Sequence, residues 1–551
     1  MELPHRAVAR LAALGLALLV AAGLPAAVSA AELERPASQT APPPFFERSA
    51  NEVERIAARA DRVREARREG PLDPTTYTKG VGRWQVSFFR DHDEQVQVQV
   101  DDRSGAVLEQ WAGDQVAWTM ARGYPGAFGR KLNAPYVWIP LCLLFLVPFV
   151  HVRRPFRLLH LDLLVLLSFG VSHYFFNRGE IGVSAPLVYP VLLYLLGRVL
   201  FAAFRPRRAA GPLVPHAPLA LLVVGLVFLG AFRIGLNIAD SNVIDVGYAG
   251  VIGADRIADG DPLFGDGFSD DVERGDTYGP VTYLLYVPFE QAFPWSGLWD
   301  DLPAAHAAAI AFDLLALGGL LLLGRRLRPG RDGVALGVAL AYAWAAYPYT
   351  TFVLESNSND TLVALACIAA LLGASVVRRR TSAAATAFAI GLGAAAKFVT
   401  AALVPMFARR SPFVFAGTLV LVLAWTVVPF VPDGSVRELY DRTIGYQASR
   451  PSPFSLWGQV DSLDWLQTVV KAAAGVLAVV VAFVPRHPDL RRLAALGAAI
   501  LIAVEITATH WFYLYVVWFV PFLFVALFAA HERALPEEAS EQVRESEPVY
   551  A

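Results

Sequence analysis

Between Ile238 and Pro280 the chain sets ten carboxylates, Asp240, Asp245, Asp255, Asp259, Asp261, Asp266, Asp270, Asp271, Glu273 and Asp276, against two arginines, Arg256 and Arg274. A carboxylate in such a segment can take the proton of a hydroxyl acceptor. With a phosphate beside it, Asp240 or Asp245 could also hold a divalent cation. Apolar runs long enough to cross a bilayer surround the segment, so it has to sit in water or line a cavity. Asp245 and Tyr248 are three residues apart and would be neighbours on a helix. Asp240, five residues before Asp245, would face elsewhere and is the second candidate base. Asp266, Asp270, Asp271 and Glu273 read as a solvated acidic surface.

Chemistry on a phosphate needs cations, and the chain uses arginine almost exclusively. Its four lysines are Lys79, Lys131, Lys397 and Lys471. Lys397 follows Gly391-Leu392-Gly393-Ala394-Ala395-Ala396 in an apolar stretch, where a charge is costly unless paired. A phosphate would satisfy it; an internal salt bridge would do the same. Residues 432–465 carry Arg442, Gln447 and Arg450 among hydroxyls, a set suited to phosphate or sugar oxygens. A solvated loop would carry the same arginines. His510 stands beside Trp511, Tyr513 and Tyr515 at the end of an apolar run; it could contact a phosphate, although an aromatic belt alone explains the Trp and Tyr.

The elements that must position these residues are membrane helices. Of 551 residues 55% are hydrophobic and 17% charged, which excludes an ordinary soluble enzyme. A net charge of −2 gives no electrostatic footprint for nucleic acid. Cys142 and Cys367 lie in apolar runs and build no disulfide framework. Arg6 and Arg10, the apolar run Leu11–Leu24 and Val28-Ser29-Ala30 have the form of a secretory signal, cut after Ala30 or kept as an anchor. Residues 31–134 then form a small extracytoplasmic α+β domain. In it, 51–70 reads as an exposed helix, 83–89 as a strand, and Gln95–Val100 as a half-buried strand of period two. Asp101 and Asp102 read as turn formers before Gly105.

About 11 to 13 spans follow, an all-α polytopic membrane fold. Residues 135–216 hold three, 217–530 the rest, and 531–551 an acidic disordered cytoplasmic tail. Arginine clusters at 153–154, 205–208, 325–326, 378–380 and 409–410 set those ends inside. The segments 239–279 and 432–465 then face outward with the N-terminal domain. Val281–Phe293 is too short to span and reads as re-entrant or interfacial. Residues 383–406 read as two half-spans.

Arg83–Trp111 resembles PepSY-type domains in its W-x-V-x-F, V-x-V-D and S-G-A-V-L phrases, which implies an extracytoplasmic binding or regulatory module. Residues 217–530 resemble the GT-C superfamily of membrane glycosyltransferases, specifically glycosyltransferase family 87. The resemblance is carried by Asp245 with Tyr248, by Ala254 to Gly260 with Pro262 and Phe264, by Tyr278-Gly279-Pro280, by Ser356-Asn357-Ser358-Asn359-Asp360, and by Gly391-Leu392 to Lys397. Family members usually carry Y-P-P and G-Q-x-N, so Gly279 and the serine-rich turn are departures. The resemblance implies transfer of a mannose- or arabinofuranose-type sugar from a polyprenyl-phosphate donor to an extracytoplasmic lipid or glycan acceptor. It implies Asp245 as general base, with Tyr248, Tyr278, Asn359, Lys397, Arg442, Gln447, Arg450 and His510 around the substrates. Two other classes stand beside it. A transporter or flippase would show internal repeats and a polar path through the membrane. A non-catalytic envelope scaffold would tolerate a neutralised acidic segment.

Overall fold

The computed structural model describes residues 33–532, apart from 125–127, 206–208, 211–216, 266–267, 269–271, 273, 298–301 and 433–434. The expected signal, the acidic residues Asp266, Asp270, Asp271 and Glu273, and all but the first two residues of the expected tail lie outside the described residues.

Five strands, β1 (Leu33–Glu34), β2 (Asp73–Lys79), β3 (Arg83–Arg90), β4 (Asp93–Asp101) and β5 (Val107–Ala112), form one antiparallel sheet in chain order. The register sets Trp84 opposite Val100, Val86 opposite Val98 and Phe88 opposite Val96, an apolar face of β-branched and aromatic residues. Helices Ala50–Ala57 and Asp61–Ala66 cover that face through Val53, Ala57 and Val63. The expected single exposed helix is therefore two short ones with one face buried. The Gln side of the alternation is buried too: Gln97 and Gln99 are 9% and 5% exposed, and Arg122 donates to Gln97 at 2.9 Å. Asp101 closes the hairpin by accepting from the Ser104 amide at 2.7 Å. Asp102 stands in the same turn and has a second role. It is buried and accepts from Trp84 Nε1 at 2.8 Å and the Glu47 amide at 2.7 Å, pinning the preceding linker to the sheet.

The rest of the chain is a multi-pass helical assembly. Among the described residues, six helical stretches are long and apolar enough to cross a membrane: Leu158–Phe176, Ile181–Phe204, Leu219–Asp240, Pro303–Leu327, Pro412–Phe430 and Asp461–Val480. Shorter apolar helices lie at Pro135–Phe149, Thr361–Ala374, Phe398–Ala408 and Tyr513–Phe528. Helices Gly330–Ala346, Arg379–Ala396 and Leu490–Thr507 are rich in Ala and Gly and mostly buried, as close helix packing in lipid requires. Arg233 lies wholly inside. It pairs with Asp313 at 2.5 Å and donates to Ala345 O, Thr350 Oγ1 and Thr351 Oγ1 at 3.1, 3.0 and 2.8 Å. A buried ion pair of this kind holds only when the remaining donors also find acceptors.

Two features of this assembly shape the site. Val281–Phe293 forms two short helices, Pro280–Leu284 and Val287–Ala292, neither of spanning length. Helix Arg379–Ala396 runs up to Lys397, and residues 398–408 run back: Arg410 donates to Ala374 O at 2.8 Å and to Ser382 Oγ at 3.1 Å near the helix start. Lys397 thus sits at an apex.

Candidate functional site

The acidic segment is not a loop throughout. Asp245 opens a helix, Asp245–Asp259, which ends on the left-handed Gly260 (φ 82°). Asp245 Oδ1 accepts from the Val246 amide at 2.9 Å, and the free amides of the first turn favour its charged form. The chain just before it is held by the turn Glu355–Asp360, six polar residues each at most 1% exposed. The Asn242 amide donates to Glu355 O at 3.1 Å, and the Ile244 amide to Ser356 O at 3.2 Å. Asn357 donates to Asn242 O at 2.9 Å, and Asn359 to Val246 O at 3.4 Å. Gly247 lets this turn come close: a Cβ there would lie 2.5 Å from Asn357 O. The Asp245 side chain is solvent-accessible, yet protein surrounds it. Lost hydration pushes its carboxyl above the usual carboxylate range, while Arg450 and Lys397, within Coulombic reach, pull it back. This is a charge in a recess rather than on an open surface.

Gly279, the departure from the expected motif, explains how Tyr278 meets Lys397. Its amide donates to Ala396 O at 3.0 Å, and a Cβ would stand 2.0 Å from Ala395 O. Proline could do neither. Thr282 Oγ1 donates to the same Ala396 carbonyl at 2.9 Å, so the helix end left open by the break at Lys397 is satisfied. Lys397 Nζ then lies 4.9 Å from the Tyr278 ring centroid and 5.9 Å from that of Trp518. Its ion-pair partner is Asp360, at 2.5 Å, both side chains being buried. Asp360 also accepts from Trp518 Nε1 at 2.8 Å and Ser358 Oγ at 2.5 Å. Of the two readings left open by the sequence for Lys397, the internal salt bridge is the one formed.

Arg442 is engaged too. It pairs with the buried Asp276 and with Glu438, each at 2.9 Å, so Asp276 is not part of a solvated acidic surface. Gln447 donates to Thr277 Oγ1 at 3.1 Å. These two contacts clamp residues 276–277 and hold Tyr278, the next residue, in place. Arg450 is different. Among the described residues it donates no hydrogen bond and forms no ion pair, and it lies within Coulombic reach of Asp245, Tyr278 and His510. His510 Nδ1 is 2.9 Å from Ser452 Oγ, and its ring centroid is 5.5 Å from that of Phe454. Burial, then Arg450, hold its imidazole down to about 3, so it is neutral at ordinary pH.

Asp245, Tyr278, Lys397, Arg450 and His510 therefore share one neighbourhood, with Asn359 behind Asp245. Tyr248 is close in sequence but buried in the apolar packing, its ring 6.2 Å from Trp295. Asp240, the second candidate base, forms an ion pair with Lys131 at 3.3 Å and accepts from the Lys131 amide at 3.1 Å. Among the described residues no group of three or more His, Cys, Asp or Glu could hold a metal ion. Sequence reasoning missed Asp360, Tyr515 and Trp518. Asp360 was legible as the acid nearest in type to answer a buried lysine. Tyr515 and Trp518 stack at 4.1 Å, and a spacing of three within the last apolar run was their one signal.

Residues 277–538 match the model of glycosyltransferase family 87. This part of the chain is similar to the glycosyltransferases of that family. The family 87 segment takes in Tyr278, Asn359, Lys397, Arg442, Gln447, Arg450 and His510, and begins after Asp245. No curated protein matches the chain.

Proposed function

We propose that this protein transfers a mannose- or arabinofuranose-type sugar from a polyprenyl-phosphate donor to a lipid or glycan acceptor, with Asp245 as general base. One observation supports this above the others. Asp245 is an accessible carboxylate bonded to no cation, and Arg450 a guanidinium without a hydrogen-bond partner among the described residues, while the neighbouring Lys397 and Arg442 are paired off. The two free charges are opposite in sign and share a recess, the arrangement that an acceptor hydroxyl and a departing phosphate require.

In the reaction, the acceptor hydroxyl gives its proton to Asp245 as its oxygen attacks the anomeric carbon. The bond from that carbon to the phosphate oxygen breaks, and its electron pair leaves with the polyprenyl phosphate. A phosphate is a weak base and leaves unprotonated; Arg450 offsets its charge. The hydroxyls of Tyr278 and Tyr515 have no partner among the described residues and are available to the sugar. Asp360, whose oxygens are all engaged, does not offer a second base, so one displacement with inversion is expected.

The arginine-rich helix ends at 325–326, 378–380 and 409–410 support an outward-facing site by the positive-inside rule. The N-terminal domain, PepSY-like in its strand phrases, then lies outside as well. The test is Asp245→Asn with Asp240→Asn as its companion. Transfer from radiolabelled polyprenyl-phosphate sugar is measured with cell membranes as the source of acceptor. Asp245→Asn should stay in the membrane and lose transfer; Asp240→Asn, which removes only an ion pair with Lys131, should slow transfer without abolishing it. Normal transfer by Asp245→Asn removes the assignment.

A further inference from the structure

The N-terminal domain lies outside the family 87 segment, but the chain leaving it touches both halves of the recess. After β5, Gln115 Nε2 donates to Asn177 O at 3.2 Å, at the turn between two membrane helices. Trp118 packs edge-on to Phe454 with ring centroids 5.0 Å apart. Phe454 is buried, follows Arg450 in the same loop, and stands against His510. A second contact lies farther along. Phe128 meets Phe512 edge-on at 6.2 Å. The Gly129 amide donates to Asn242 Oδ1 at 3.0 Å, and Lys131 holds Asp240 by its amide and its amine. Asn242 is the residue whose own amide is bonded to Glu355 O, just ahead of Asp245.

We propose that Trp118, Gly129 and Lys131 belong to the transfer site as positioning residues. Trp118 acts through Phe454 on the loop carrying Arg450 and on His510, which packs against the same ring. Gly129 and Lys131 act through Asn242 and Asp240 on the start of the Asp245 helix. This rests on the reading of Asp245 and Arg450 given above. Residues 441–449 are helical and fixed by Arg442 and Gln447, while beyond Arg450 the loop is held by Ser452 on His510, by Phe454 against Phe176, Phe512 and Trp118, and by Ser455, which donates to Thr509 O at 2.6 Å. Arg450 lies between these anchors, and the Trp118–Phe454 contact stiffens that stretch. A displacement of about 1 Å at a reacting group costs up to about a hundred-fold in rate, so small loosening should be measurable.

The experiment compares wild type, Trp118→Ala, Trp118→Phe and Lys131→Met as full chains in detergent. Farnesyl phosphate is the probe for the leaving group, and transfer kinetics are read with the labelled donor. Trp118→Ala should weaken farnesyl phosphate binding about ten-fold and raise the donor KM, with an unchanged melting temperature. Trp118→Phe, which keeps a ring against Phe454, should restore both. Lys131→Met should lower kcat and leave farnesyl phosphate affinity intact. Wild-type affinity and kinetics in both Trp118→Ala and Lys131→Met overturn the inference, as does a parallel loss of kcat, affinity and melting temperature in both. Absence of farnesyl phosphate binding in the wild type overturns the donor reading beneath it, and the inference with it.

Discussion

Replacing Lys397 by Met tests whether the apex between helix Arg379–Ala396 and residues 398–408 is held by an ion pair. The substitution keeps the length of the stem and removes the charge. Asp360 is left buried at 1% exposure with Trp518 Nε1 and Ser358 Oγ as donors and no cation. Breaking a buried pair by removing one partner costs about 3–5 kcal/mol, and the two remaining donors place this case near about 3 kcal/mol. Loss of the contact with the Tyr278 ring adds about 0.5–2 kcal/mol. Asp360→Asn alone should cost a similar amount, because the amine then lacks its carboxylate. The double variant should lose much less than the sum, since neither charge is stranded; a coupling of about 1–3 kcal/mol is expected. The assay is unfolding in mixed detergent micelles followed by tryptophan fluorescence, run as a double-mutant cycle. Strict additivity of the two substitutions would refute the pairing and return Lys397 to the pool of free phosphate ligands.

The two arginines of the 432–465 segment should separate. Arg450→Ala should weaken farnesyl phosphate binding by about 1.5–3 kcal/mol, the range for a charge-assisted hydrogen bond, at little cost in stability. Arg442→Ala should lower stability, because Asp276 loses its cation, while keeping most of the affinity; calorimetric titration and melting distinguish the two. His510 gives a pH signature in stability. Its folded pKa, about 3, is depressed below the unfolded value of 6.5, so protonation favours the unfolded chain. Its contribution is complete above the unfolded value and is lost as pH falls from there toward the folded one. His510→Gln should therefore show a flatter fall in melting temperature than wild type on acidification, and parallel curves would contradict the buried neutral imidazole.

Much of the frame was legible because its physics is local. Apolar run length and arginine-rich ends mark helices such as Ile181–Phe204 and Leu219–Asp240, and period-two alternation with a Gly105 turn marks β4 and β5. Asp245 was picked out from nine other carboxylates in its segment by its spacing from Tyr248 and by the family resemblance. Partnerships were not legible. Arg442 and Arg450 look alike in sequence, and only the fold brings Asp276 to Arg442 across 166 positions and leaves Arg450 without a partner. The same holds for Asp360 and Lys397, 37 positions apart, and for Asp240, which a lysine from the segment before the first membrane helix neutralises. Asp102 lies in the expected turn, but its second role as a buried anchor was not legible, because a turn acid and a buried anchor share one residue type. The helix Asp245–Asp259 was hidden by the acidity of its exposed face, although Gly247, Gly250 and Gly253 mark the side packed against the turn, Tyr286 and Tyr283.

The central claim is that a phosphate binds at Arg450 beside Asp245. Determining the structure of the full chain with farnesyl phosphate bound tests it most directly. The expected result is the phosphate within hydrogen-bonding distance of the Arg450 guanidinium, in the recess that Asp245, Tyr278 and Tyr515 share, with the Lys397–Asp360 and Arg442–Asp276 pairs intact. A phosphate seated on Lys397 or Arg442 with those pairs broken, or held away from Asp245, would contradict it.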